Sequence, residues 1–376
     1  DNLLLTSTGL QAMRIYFEVE GTEKDKEARF VVDVLPAIMQ PVLKAEETEN
    51  WQALYFSLQL YTKLCKSVPA IALAKERTKL WAAIRECLFY PHAWVKTCAA
   101  NLVGTWLADL AKTNAANGYG SIPLAGSMGL SLDKDAMLQL IRASLRSLRT
   151  PAVSEELAMQ SVRNIIFLGR CCAQNGIAFA KTGNKDLDSD ASDSEDEAED
   201  EAGRQAGTTK TAIHYIFEQT SSILRRELLT TRAESLIPKT ASIGLLASLC
   251  RHLEVEQIRD SLPVILLPLQ HMTDTSIPAP RSSDEVFRES YKGLVSNCHE
   301  VLDILQKKLG TTEYVQIMAQ VHDSIKERRE DRRVKRRIEA VTEPERYEKD
   351  KRRRNDRKRE KRKEKGAEHR SKRRGW

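Results

Sequence analysis

At 376 residues the chain has room for two domains of average size, and an apolar fraction of 41% supports a sizeable buried core, which excludes a wholly disordered protein. The formal charge of +6 conceals an asymmetry: residues 326–376 hold 25 Lys and Arg against 12 Asp and Glu, while residues 1–325 hold 34 against 41. A mildly acidic body with a basic end is the layout of a chain whose tail meets a polyanion, and a tail without interleaved Trp, Phe or Leu is a poor match for a membrane surface.

The chain opens on Asp1 with helix-like periodicity following almost at once, so it is expected to enter a running architecture as the C-terminal piece of something longer. Apolar residues then recur at helical rather than strand spacing nearly everywhere, which predicts an all-α fold. A first helix pair is expected over residues 31–64, broken at Pro36 and Pro41. The clearest pair covers residues 80–110. There Leu80, Ile84 and Leu88 line one helix, Pro91 and His92 break it, and Val95, Ala99, Leu102, Trp106 and Leu110 line the next.

Glycine-rich residues 114–131 have no period and read as a surface loop. A related pair follows over residues 135–172. Met137, Ile141, Leu145 and Leu148 form one stripe, Thr150-Pro151 interrupts, and Val162, Ile165, Ile166 and Gly169 continue; Val162-Arg163 matches Val95-Lys96 in place. Residues 183–209 carry D-L-D-S-D-A-S-D-S-E-D-E-A-E-D-E and have too little apolar surface to offset chain entropy, so an acidic disordered linker is expected. Its Ser189, Ser192 and Ser194 stand among carboxylates, the setting an acid-directed kinase prefers, and are candidate phosphorylation sites; a plain solvated spacer is the alternative.

A fourth pair is drawn over residues 213–249, broken at Pro238. A fifth starts at Ile258 and the run S-L-P-V-I-L-L-P-L, then restarts at a capping box from Ser282 to Glu285. Hairpins at a spacing of roughly 40 residues or more resemble HEAT repeats, and because each leaves apolar surface that only a neighbour can cover, a HEAT- or armadillo-like solenoid is favoured over a plain bundle. The expected division is a helical repeat region over 1–182, the acidic linker over 183–209, a second helical repeat region over 210–325 and a basic tail over 326–376.

The tail begins as a continuation of the last helix, where Tyr314, Met318, Val321 and Ile325 can still pack on the repeats. Then come Arg332, Arg333, Lys335, Arg336 and Arg337, and, beyond Pro344, Lys351, Arg352, Arg353, Arg354, Arg357, Lys358, Arg359, Lys361, Arg362 and Lys363. Acids interspersed at a ratio of one to two leave a large positive field whose natural partner is phosphate backbone, bound mainly through counterion release. Only Tyr347 and Trp376 could stack on bases, so general backbone binding is expected over sequence readout. The same blocks also suit nuclear import, and these residues are candidates for RNA binding, import or both.

Enzyme signatures fall short on spacing. Gly176 and Lys181-Thr182 approach a phosphate loop, but Ala180 stands where a glycine must precede the lysine. No C-x-x-C pair starts a zinc site, Cys171 and Cys172 diverge around a helix as core residues do, and adjacent Cys298 and His299 cannot share a proton. His92 and Cys98 flank a turn, where a histidine capping a helix end is expected over a catalytic dyad. The odd count of seven cysteines at helical apolar positions points to buried free thiols in a reduced compartment. With no secretory opening and no apolar run of bilayer length, an intracellular, soluble, non-enzymatic protein is expected, with no cofactor, metal or small-molecule substrate.

Residues 309–345 resemble the C-terminal region of the very large HEAT-repeat subunit of the small-subunit processome, the twentieth of the Utp proteins. The resemblance is carried by Gly310-Thr311-Thr312-Glu313, Val321-His322, the R-R-x-x-R-R-x-K-R run, Ala340-Val341 with Pro344, and the terminal basic tail. It implies a nucleolar scaffold that binds pre-ribosomal RNA, the small nucleolar ribonucleoprotein and other processome proteins during early processing of small-subunit RNA. A HEAT-type nuclear transport adaptor, with the tail serving import alone, is the alternative.

Overall fold

In a computed structural model, the residues described are 2–18, 24–45, 50–114, 122–150, 153–179, 210–228, 230–275, 279–280 and 282–345, with 347–348, 352, 355–356 and 359 beyond; the side chains of 2–5, 324–325, 328–329, 332, 335–336 and 339 are outside the description. The fold is all-α, with helices α1 Asn2–Tyr16, α2 Asp25–Lys44, α3 Trp51–Ser67, α4 Pro69–Ala72, α5 Thr78–Cys87 and α6 Ala93–Asn114. A two-stranded hairpin, β1 Leu124–Ala125 and β2 Ser131–Leu132, separates these from α7 Lys134–Arg149 and α8 Glu155–Gln174. Beyond the acidic segment come α9 Ala212–Arg225, α10 Ile237–His252, α11 Val255–Arg259, α12 Leu262–Thr273, α13 Glu285–Leu309 and α14 Thr311–Thr342. Residues 1–311 form one compact unit and residues 312–376 another.

Within the first unit the helices stack as hairpins in two rows. The pairs are α2 with α3, α5 with α6, α7 with α8, α9 with α10, and α12 with α13. The first members pack on one another in order, as do the second members α3, α6, α8, α10 and α13. The physical reason is visible in α7, where Met137, Leu138, Leu140, Ile141, Leu145 and Leu148 are all buried. That stripe is too wide for one neighbour to cover, so α7 needs α8 on one side and adjacent hairpins on the others. Polar caps start the helices: Asp133 accepts from the Ala136 amide at 2.7 Å, Ser154 from that of Leu157 at 3.3 Å and Thr211 from that of His214 at 3.2 Å.

Row contacts are tight where side chains are small. A Cβ at Gly104 of α6 would sit 2.1 Å from Nε2 of Gln160 on α8. Beside it the buried Asn164 donates to the Ala100 carbonyl at 3.1 Å and accepts from Gln160 at 2.9 Å, so the two helices are joined by satisfied polar groups as well as by apolar contact. Trp106, one of the largest fully buried side chains, lies 4.9 Å from Trp81 between the helices of the second pair.

Several expected boundaries are corrected. Pro36 and Pro41 do not break the first pair; both lie inside α2, which continues because Val31, Val32, Leu35, Met39 and Val42 are buried along it and their burial outweighs the hydrogen bonds the prolines remove. Pro238 opens α10 in its first turn, where its missing N–H costs nothing, and the gap precedes it. The capping box at Ser282 does not form. Asp284 caps α13 by accepting from the Val286 amide at 3.0 Å, while Ser282 accepts from the Asp284 amide at 3.0 Å.

The glycine-rich stretch is likewise more than a surface loop. Leu124, Leu130 and Leu132 are buried, and Asp109 of α6 accepts from both the amide and the hydroxyl of Ser127 at 3.0 and 2.6 Å. Residues 115–121 lie outside the described residues.

The acidic segment leaves and re-enters at one point. The Phe179 amide donates to Lys210 O at 3.0 Å and the Ala212 amide to Ile177 O at 2.8 Å, an antiparallel bridge that closes the chain where α8 passes to α9. Since loop closure costs only a logarithm of length, replacing residues 183–209 by a short Gly-Ser turn should raise the unfolding free energy by no more than about 2 kcal/mol. Denaturant unfolding of the shortened chain checks this; a chain that no longer folds would show that the segment contributes to the core.

Six of the seven cysteines are buried and Cys98 is half-buried. Burial pushes the thiols of Cys65, Cys171, Cys172, Cys250 and Cys298 up to about 12, above their ordinary value of 9.0. The unfolded chain therefore loses these protons first, so the stability they confer is complete below pH 9 and is lost as pH rises from there toward 12. Lys239 runs the other way: burial lowers it to about 8, so the unfolded chain holds its proton longer and stability rises between pH 8 and 10.5. Five thiols outweigh one amine, each worth up to about 1.4 kcal/mol per pH unit. Urea unfolding should show stability falling from pH 9 to pH 10.5, and Lys239→Met should abolish any rise between pH 8 and 9.

Candidate nucleic-acid interface

The first basic block lies inside a helix. Gly310, at φ +80°, ends α13, and α14 then runs without interruption through Thr342. All of Arg332, Arg333, Lys335, Arg336 and Arg337 are therefore helical positions. At 100° per residue, positions 329, 332, 333, 336 and 337 fall on one side of α14 and 328 and 335 border it. The exposed Glu327 and Asp331 stand on the other side, while the exposed Glu330 borders the basic positions next to 337.

Arg333 and Arg337 are exposed. The Arg333 guanidinium is 3.4 Å from Glu330, with both side chains more than half exposed, and Arg352 is 3.4 Å from Glu348 in the same condition. Such pairs are worth little in water and do not lock the side chains; residues 326–342 keep eight Lys and Arg against four Asp and Glu. Arg352 and Arg359 are exposed as well. Lys351, Arg353, Arg354, Arg357, Lys358, Lys361, Arg362 and Lys363 lie outside the described residues, as do Ser189, Ser192 and Ser194.

The acidity of residues 1–325 is concentrated in one place. Residues 183–209 hold ten Asp and Glu against two Lys and Arg, and the remainder of 1–325 holds 31 against 32. The stacked hairpins are thus close to neutral, and the charge contrast is between one acidic segment and the basic end.

Among the described residues the other candidates from the sequence do not come together. Cys298 is buried while the adjacent His299 is exposed, and Cys171 and Cys172 are core residues. The His92 ring stacks on Trp51 with its Nδ1 making no capping hydrogen bond, and the Cys98 sulfur accepts from Gln59 at 3.3 Å. Among the described residues no group of three His, Cys, Asp or Glu could hold a metal ion, and no helix is long and apolar enough to cross a membrane.

A family model described as small subunit processome component 20 homolog, C-terminal, matches residues 5–368. The U3 small nucleolar RNA-associated protein 20 of Schizosaccharomyces pombe is 29% identical over 91% of this chain, and that of Saccharomyces cerevisiae 26% over 92%. In each case the match covers 12% of the relative's length. A crystallised engineered protein aligns with 77% of this chain and 98% of its own at 10% identity and a TM-score of 0.30.

Proposed function

The chain belongs to the family of the C-terminal region of small-subunit processome component 20, and from that premise we propose that it is a non-enzymatic scaffold of the processome in the nucleolus. The hairpin rows hold partner proteins, and the basic end binds pre-ribosomal RNA in association with the small nucleolar ribonucleoprotein. The relatives' names, which associate them with U3 small nucleolar RNA, support the assembly. The observation that carries the RNA reading is the basic block of α14, where residues 326–342 hold eight Lys and Arg against four Asp and Glu and Arg333 and Arg337 are exposed.

Crosslinking the chain to RNA in cells, with sequencing of what is bound, tests the proposal. Recovery of small-subunit precursor RNA together with U3 RNA is expected, and ribonuclease should release the chain from large particles. Persistent association with import or export factors after ribonuclease, with no precursor RNA recovered, would mean a transport adaptor instead.

A further inference from the structure

Helix α10 ends at His252 with carbonyls that no helical N–H reaches, and the chain leaves it through Leu253 in an extended conformation, at φ −86° and ψ 148°. Three carbonyls at this end meet one nitrogen. Nζ of Lys308 donates to Cys250 O at 2.8 Å, to Arg251 O at 3.3 Å and to Leu253 O. Lys308 lies in the last turn of α13, two residues before the glycine that ends it, so the contact joins the fifth pair to the fourth.

The end of α8 is closed differently. There Gln257 donates to Ala173 O at 3.3 Å and Asn175 to Cys171 O at 2.9 Å, so each carbonyl has its own neutral donor. At α10 the oxygens instead share a single positive charge, placed at the negative end of the helix dipole. Leu253 is buried, which limits how far water can stand in for that charge. Several backbone carbonyls around one small cation is also the arrangement by which proteins hold a potassium ion in place of its hydration shell.

We propose that the end of α10 is a site for a small monovalent cation, filled in this protein by the ammonium of Lys308, and that a free potassium or ammonium ion binds there when the lysine side chain is removed. Neutral oxygens suit a single charge, whereas a divalent ion is held through carboxylates or keeps its own water. Lys308 thereby acts as a built-in structural cation between the last two hairpins. This role is separate from RNA binding by the basic end.

The test is urea unfolding of the full chain carrying Lys308→Ala, with potassium chloride exchanged for tetramethylammonium chloride at constant ionic strength. In tetramethylammonium, too large to enter, the variant should unfold at a lower midpoint than the wild type. The Leu253 amide, bonded to Leu249 O at 2.9 Å, should exchange its hydrogen about tenfold faster in that salt, the effect expected for losing a cation from a partly buried helix end. Potassium chloride and ammonium chloride should reverse most of both changes, while the wild type should behave alike in all three salts. Lys308→Met keeps a side chain of similar length in the site without its charge, and should show both changes with no reversal. The same behaviour of Lys308→Ala in all three salts would overturn the proposal, whether the changes persist, are absent, or the variant fails to fold, since the oxygens would then not select a small cation.

Discussion

Trp106→Ala should lower the unfolding free energy by about 3 to 5 kcal/mol, the range for deleting a large buried aromatic side chain. The indole is 1% exposed, packs 4.9 Å from the equally buried Trp81, and sits in α6, which touches α3 and α8 in its own row and α5 in its own pair. α6 is thus coupled to three neighbouring helices. Because hairpin stability is shared across interfaces, the loss should appear as earlier unfolding of the adjoining pairs, not as local fraying of α6. The indole N–H has no hydrogen-bond partner among the described residues. Trp106→Phe, which keeps a ring and removes that unsatisfied donor, should therefore cost well under half as much. Denaturant unfolding measures both, and a change below about 1 kcal/mol for the alanine variant would contradict the packing described here.

That residue was legible in the sequence because Val95, Ala99, Leu102, Trp106 and Leu110 repeat at helical spacing, and all five are buried. The hairpins over 80–110 and 135–172 were legible for the same reason. Boundaries were harder. Pro36 and Pro41 look like breaks to any reading based on local preference, yet tertiary burial of α2 overrides them, and Ser282, passed over as a cap for Asp284, has its hydroxyl donating to Thr231 O at 3.2 Å, a partner 51 positions away. The folding of the glycine-rich stretch was hidden because its anchor, Asp109, lies in a different element, 18 residues before Ser127. The stacking of His92 on Trp51 was invisible for a related reason: the two are 41 positions apart, and only the packing of α3 against α6 brings them together. The basic block, by contrast, needs no tertiary information. Its charge is a property of the sequence, and the structure adds that its first half is one continuous helix.

The most direct test of a neutral hairpin scaffold with an RNA-binding end is affinity for RNA across a salt series, with and without residues 346–376. These hold 17 Lys and Arg against six Asp and Glu, whereas the hairpins outside the acidic segment are nearly balanced. Removing them should barely move the thermal midpoint of residues 1–311, which form their own compact unit. It should abolish most RNA affinity. With about 0.7 counterion released per phosphate neutralised on a single strand, log K against log salt should be several units steeper for the intact chain than for the truncated one, for structured and unstructured RNA alike. Equal slopes for the two chains would contradict it: the phosphates would then be bound within residues 1–345, and residues 346–376 would be left with nuclear import as their role.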